Sequence, residues 1–189
     1  MAHGSRETEI KLPVKDIASA KRMLSRAGFR VYKRRVFEDN TVFDTPRLTL
    51  RKAATLLRLR QVGAKAILTF KGRPIQSKHK SREELEVEVS DAETMRTIAE
   101  RLGFQPVFRY QKFRTEYKQP SRAGVATLDE TPIGVYLELE GDPGWIDRTA
   151  ALLGYSESAY IVSSYGSLYL DWCKKNSVKA KNMIWKPDD

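Results

Sequence analysis

Glu7, Glu9 and Lys11 stand two residues apart near the start of the chain, in Arg6-Glu7-Thr8-Glu9-Ile10-Lys11-Leu12. An extended backbone sends successive side chains to opposite faces. These three charges therefore share one face, and Thr8, Ile10 and Leu12 share the other. Carboxylates are the ligands a hard divalent cation takes, and a neighbouring ammonium suits a phosphate oxygen. A single strand of this kind is equally what a solvated sheet edge looks like.

The same alternation recurs downstream with charges of both signs. Leu56, Arg58 and Arg60 share a face opposite Leu57 and Leu59, and Lys71 follows Ile67 and Thr69 in phase. Arg82, Glu84, Glu86 and Glu88 oppose Leu85, Val87 and Val89. Lys112, Arg114 and Glu116 oppose Phe113 and Tyr117, and Asp129 follows Thr127. Glu138 and Glu140 share a face with Tyr136, opposite Val135, Leu137 and Leu139.

The elements that carry these residues are mostly strands joined by short turns. Helical spacing marks residues 14–27 (Ile17, Ala20, Met23, Leu24, then Gly28), 91–102 with Asp91 as N-cap, 145–153, and 164–175 with Tyr165, Leu168, Tyr169 and Trp172 on one face. Strands are expected over 30–38, 55–62, 65–71, 82–90, 105–118, 125–129 and 135–140, with 41–46 a separate stretch that Pro46 ends. The polar, basic run 73–81 reads as a mobile loop. About eight strands linked by short turns pair antiparallel, which makes an α+β architecture with a large sheet closed or nearly closed.

Composition narrows the chemistry. The chain has 189 residues, net charge +10 and 41% hydrophobic residues, and reads as one β-rich domain over 1–189. Its core is expected over about 6–175, with residues 1–5 and 177–189 flexible. One cysteine, Cys173, excludes an internal disulfide and a cysteine-based zinc site, and two histidines exclude a histidine-rich metal centre. A metal here would be held by carboxylates, which favours Mg²⁺ or Mn²⁺. No apolar run has the length of a membrane span and no signal-type segment opens the chain, so a cytoplasmic location and no membrane partner are expected. The positive excess suits a polyanion. There is no P-loop glycine pattern and no zinc-finger spacing, so nucleic acid is not the expected partner.

Two arrangements satisfy the alternation. With apolar faces inward, this is an ordinary half-buried sheet. With the helices covering the apolar faces, the charged faces look at one another across a barrel. Lys11, Arg58, Arg60, Lys71, Arg82, Lys112 and Arg114 would then pair in part with Glu7, Glu9, Glu84, Asp129, Glu138 and Glu140, because isolated buried charge is very costly. Seven such cations in phase are also expected to strain an empty lumen, which would suit a phosphate-rich ligand.

From Glu7 to about Leu170 the chain resembles the CYTH family, the triphosphate tunnel metalloenzymes. The pieces come in the family's order: Glu7-Thr8-Glu9-Ile10-Lys11, Phe43-Asp44-Thr45-Pro46, Leu57-Arg58-Leu59-Arg60, Leu68-Thr69-Phe70-Lys71-Gly72, Arg82-Glu83-Glu84, Lys112-Phe113-Arg114, Leu128-Asp129-Glu130, Gly134 to Glu140, and Ser164-Tyr165. The resemblance implies a closed eight-stranded antiparallel β-barrel, a tunnel with helices packed outside, whose lumen binds a triphosphate and one or two divalent metals. Carried over by position, the seven cations named above hold the phosphate chain, with Lys11, Arg58, Arg60 and Lys71 catalytic. Glu7, Glu9, Glu138 and Glu140, with Asp129 and Glu84, bind Mg²⁺ or Mn²⁺. One departure is that Ile161-Val162-Ser163 precedes Ser164-Tyr165 where the family often has a basic residue.

The implied function is a metal-dependent triphosphatase acting on inorganic, thiamine or nucleoside triphosphate. The alternative is a class IV adenylate cyclase making cyclic AMP and pyrophosphate. A noncatalytic polyphosphate- or RNA-binding module would be expected to lose the acidic set, which is present. Family members are often dimers, so a homodimer is admitted. Among the remaining residues, His79 is expected to be solvated between Lys78 and Lys80, Cys173 to be a buried thiol without chemistry, and Asp44 to end a strand. Lys174, Lys175, Lys179, Lys181 and Lys186 read as a solvated helix end and frayed tail.

Overall fold

The computed structural model describes residues 5–75, 77–120 and 123–186, with Ser5 described by its backbone alone. Eight strands run β1 Ser5–Val14, β2 Arg30–Asp44, β3 Leu56–Val62, β4 Lys65–Lys71, β5 Lys80–Val89, β6 Gln105–Lys118, β7 Val125–Thr131 and β8 Gly134–Glu140. The helices are α1 Ile17–Arg26, α2 Thr49–Lys52, α3 Ala92–Arg101, α4 Pro143–Leu152 and α5 Tyr165–Lys175, with a 3₁₀ turn over Glu157–Ala159. Four of the helices begin at a residue whose side chain takes up a free backbone donor: Asp16, Asp91, Asp142 and Ser164.

The strands form a closed antiparallel barrel in the order β1-β5-β4-β3-β2-β6-β7-β8, shut by Lys11 opposite Glu138 and Leu12 opposite Leu137. The helices settle which face points where. α1 and α4 lay Ala20, Leu24, Trp145 and Ile146 on Ile10, Leu12, Leu128, Leu137 and Leu139. α3 brings Ala99 to Phe43, Leu59 and Ala66, and α5 brings Tyr165, Tyr169 and Cys173 to Tyr110 and Met183. Each fully buried leucine contributes roughly 2 kcal/mol by leaving water. With the apolar faces covered from outside by α1, α3 and α4, the charged faces are left to the lumen; α5 packs on that inner side, against Tyr110 in phase with Lys112.

Three expectations change. β2 is one strand from Arg30 to Asp44, bent by register shifts in its first half, where 30–38 and 41–46 were expected to be separate. Between the two expected stretches, Asn40 is fully buried and accepts from Arg60 Nε at 3.2 Å. His79 is buried rather than solvated, because its Nε2 meets Asp147 Oδ1 on α4 at 2.8 Å. Within 177–189, expected to be flexible, Met183 is fully buried and bridges to Tyr110 of β6. The expected flexible start at 1–5 falls, but for Ser5, outside the described residues, as do residues 187–189. Asp44 does end its strand, accepting from the backbone of Thr45, Leu50 and Arg51 and so fixing α2. Among the described residues, no helix is long and apolar enough to cross a membrane.

Candidate active site

The two-residue period puts the expected charges into one cavity of about 1100 Å³ inside the barrel. Glu7, Glu9 and Lys11 enter from β1, Arg58 and Arg60 from β3, and Lys71 from β4. Arg82 and Glu84 enter from β5, Lys112 and Arg114 from β6, and Glu138 and Glu140 from β8. Asp129 is the exception. It shares the lumen face, opposite Arg114 on β6, but is fully buried under the side chains that meet it: Lys112 Nζ, Arg114 Nε and Tyr165 Oη reach it at 2.9, 2.7 and 2.7 Å. Three donors leave it little capacity for a metal, and its position is that of an anchor for the two cations.

Inside the lumen nearly every cation has an anion. Lys71 Nζ lies 2.8 and 2.7 Å from the two oxygens of Glu7 and 2.9 Å from Glu84. Lys11 Nζ lies 3.1 Å from both Glu9 and Glu138, and Arg114 also reaches Glu138 at 2.9 Å. Arg58 donates to Thr69 at 3.1 Å and Tyr110 at 3.2 Å, and sits 3.3 Å from Glu86. Arg82 Nε is 3.5 Å from Glu7. The expected strain among seven like charges is thus relieved by pairing. Two donors stay open: Arg58 Nε and Arg82 Nε are buried without a hydrogen-bond partner among the described residues. Buried donors left unmade are costly, and an incoming anion satisfies them.

The pairing divides the carboxylates. Burial and the nearby Glu138 push the Glu9 carboxyl up, yet Lys11, Lys80 and Lys71 together hold it down at about 2. Glu138 is likewise held well below the usual carboxylate range, by Lys11 and Arg114 against the effect of burial. Glu140 goes the other way. Burial, then Glu7 and Glu138, push it up to about 7, and it has no ion-pair partner among the described residues. Glu84 is raised too, by burial first and then by Glu7 against the pull of Lys71.

Three hard-oxygen donors near enough to raise one another's proton affinity fit a divalent cation, since the cation would relieve the repulsion that the proton relieves now. Glu140, whose proton affinity Glu7 and Glu138 raise, comes nearest that description, with Glu7, Glu138 and Glu9 as the carboxylates around it. Among the described residues no three acidic, histidine or cysteine side chains converge on a common point. In this form the carboxylates are turned to lysine and arginine instead.

Sequence reasoning missed several lumen residues. Lys80 lines the cavity and bonds Glu9 at 3.0 Å. It lies in phase with Arg82 and Glu84, a signal hidden because 73–81 looked like a loop. Glu38 is buried 3.5 Å from Lys112 and 3.6 Å from Arg60, also in phase with its own strand. Tyr165 was placed on a packing stripe, but its ring also lies between Lys11 and Lys112, 5.2 and 5.1 Å from their ammonium groups.

A family model described as the CYTH domain matches residues 5–148. A Methanocaldococcus jannaschii protein named "putative adenylate cyclase" is 33% identical over 135 residues, covering 71% of this chain and 75% of that one. A solved protein from Pyrococcus horikoshii OT3 is 26% identical with TM-score 0.71, covering 87% of this chain and 98% of that one. A Hippeastrum structure, described as a "putative adenylyl cyclase" with a dominant triphosphatase activity, is 20% identical with TM-score 0.64, covering 92% of this chain and 97% of that one.

Proposed function

Since this chain belongs to the CYTH domain family, we propose that it is a divalent-metal-dependent triphosphatase that works inside its barrel. The observation that carries the reading is the lumen itself: cations from five strands face carboxylates from β1 and β8 across one cavity. Arg58 and Arg60 present planar donor forks to phosphate oxygens, and Lys11, Lys71, Lys80 and Lys112 act as point charges along the chain. A divalent cation held by Glu7, Glu9, Glu138 and Glu140 would add Lewis-acid neutralisation of the phosphate charge. Asp129, itself held by Tyr165, fixes Lys112 and Arg114, so these donors are in place before the substrate arrives. In phosphoryl transfer such positioning and electrostatics carry most of the rate. The triphosphatase activity described for the Hippeastrum protein supports this chemistry on the same fold.

A second reading, adenylate cyclase, is favoured by the name of the Methanocaldococcus relative. Both reactions use the same cations and differ in the attacking oxygen and the phosphorus attacked. The test is a product assay on tripolyphosphate, thiamine triphosphate and ATP with Mg²⁺ and Mn²⁺. Orthophosphate release supports the hydrolase, and cyclic AMP with pyrophosphate supports the cyclase. Absence of any product, with no binding of any triphosphate, defeats both.

A further inference from the structure

One part of the cavity wall comes from the segment after α5, beyond the residues that the family model matches. β7 pairs with β6 only from Phe113 to Tyr117, so the edge of Arg109 to Gln111 away from β2 has no strand beside it. The C-terminal segment supplies the missing partner. Met183 N donates to Arg109 O at 3.0 Å, Gln111 N to Met183 O at 2.9 Å, and Arg109 N to Asn182 Oδ1 at 2.9 Å. Met183 is fully buried beside Tyr110, and the Trp185 ring lies 5.9 Å from that of Phe113. This is a strap with a definite anchor, and the anchor fixes the two residues before it. Those residues, Ala180 and Lys181, line the cavity.

They do so beside Tyr169, whose Oη accepts from Lys181 N at 3.4 Å and whose ring stacks on Phe108 with centroids 5.8 Å apart. Val42 packs in the same cluster, and Val42, Phe108 and Leu170 give the cavity wall apolar surface there. A bare phosphate chain makes nothing of an apolar wall, whereas burying an organic ring there is favourable. The Lys181 side chain is exposed and pairs with no group among the described residues, so its donors are open to a ligand.

We propose that the strap is part of the substrate site. Ala180 walls an apolar pocket for the heterocyclic group of an organic triphosphate ester, Lys181 donates to an acceptor on that group, and the two select esters over inorganic triphosphate. The proposal rests on the triphosphate reading. It is tested with Ala180→Trp, which fills the pocket, and Lys181→Ala, which removes the donor; neither touches the Met183 anchor. Calorimetric Kd values and kcat/KM are measured for ATP, thiamine triphosphate and tripolyphosphate. The ratio of ester Kd to tripolyphosphate Kd should rise at least about tenfold in Ala180→Trp and by roughly three- to tenfold in Lys181→Ala, with KM moving more than kcat. An unchanged ratio in both variants overturns the proposal, as does a wild-type protein that binds tripolyphosphate but neither ester; the triphosphate reading survives either result. A wild-type protein that binds none of the three refutes that reading, and the strap proposal with it.

Discussion

Glu140 and Glu138 stand two residues apart on one strand and face one lumen, yet they should respond oppositely to the same substitution. Glu140 ionises only near 7, against an ordinary 4.5, because burial and then Glu7 and Glu138 oppose its charge. Its folded form therefore holds a proton more tightly than its unfolded form. Stability contributed by that proton is present at low pH and is lost as pH rises through about 7. At about 1.4 kcal/mol per unit, the ceiling is roughly 3 kcal/mol, of which about 2 kcal/mol should appear between about pH 5 and pH 8. Glu140→Gln removes the liability while keeping the shape. In chelator, urea unfolding should find the variant more stable than the parent by roughly 3 kcal/mol at pH 8 and by roughly 1 kcal/mol at pH 5. Glu138 is held low by Lys11 and Arg114 despite its burial. Its contribution is present above the usual carboxylate range and is lost as pH falls below it. Glu138→Gln strips two buried cations of a charged partner and should destabilise by on the order of 2 kcal/mol or more at neutral pH. Parallel stability-versus-pH curves for Glu140→Gln and the parent would refute the reasoning. So would equal effects of the two substitutions.

Turnover should vanish in excess EDTA and return with Mg²⁺ or Mn²⁺; full activity in chelator would rule out a carboxylate-held metal. Tripolyphosphate at about a hundred times its Kd should stabilise the fold by roughly 2.7 kcal/mol in a thermal-shift or denaturation assay, with monophosphate at equal concentration doing much less. Equal shifts would indicate a diffuse basic surface. Leu139→Glu places a carboxylate in the apolar layer against Trp145 and Ile146 and should cost at least about 3 kcal/mol, read as insoluble or unfolded protein on expression. His79→Ala breaks the bond to Asp147 that ties the β4–β5 connection to α4, and should cost about 1–2 kcal/mol and speed proteolysis there; unchanged proteolysis would count against that tie.

The inward charges were legible because this barrel makes each lumen strand two-faced. Helices outside demand an apolar face, so the alternation in Glu7-Thr8-Glu9-Ile10-Lys11 or Tyr136-Leu137-Glu138-Leu139-Glu140 reports direction as well as strand. Phase carries no information about partners. Asp129 lies in phase with Thr127, and that phase says nothing of Lys112, Arg114 and Tyr165, which already occupy it. Polar content misled where backbone pairing or a single buried contact decides. Asn40 fell between two expected strands, and His79 and Lys80 read as loop, although Lys80 continues the phase of Arg82 and Glu84. The lysine-rich tail has no period at all. What holds it is Met183 and the unpaired edge of β6, and that vacancy exists only because β7 is shorter than β6.

The pairing inside the lumen bears on how the proposed site would load. Glu7 holds Lys71 with both oxygens, and Lys11 sits between Glu9 and Glu138, so the tunnel is neutralised by its own side chains. A polyphosphate alone would draw Lys71 and Lys11 away and leave buried carboxylates without counter-charge, which is strongly unfavourable. A divalent cation alone would draw the carboxylates away and strand the ammonium groups. On the proposed reading, the two together would exchange every partner at once: the lysines and arginines would hold phosphate oxygens, and Glu7, Glu9, Glu138 and Glu140 would hold the metal. On the triphosphate reading, each ligand therefore raises the affinity for the other, and by linkage the two factors are equal. The raised Glu140 fits the same scheme: the carboxylate without a cation of its own is the one that now takes a proton, and the one with most to gain from a metal.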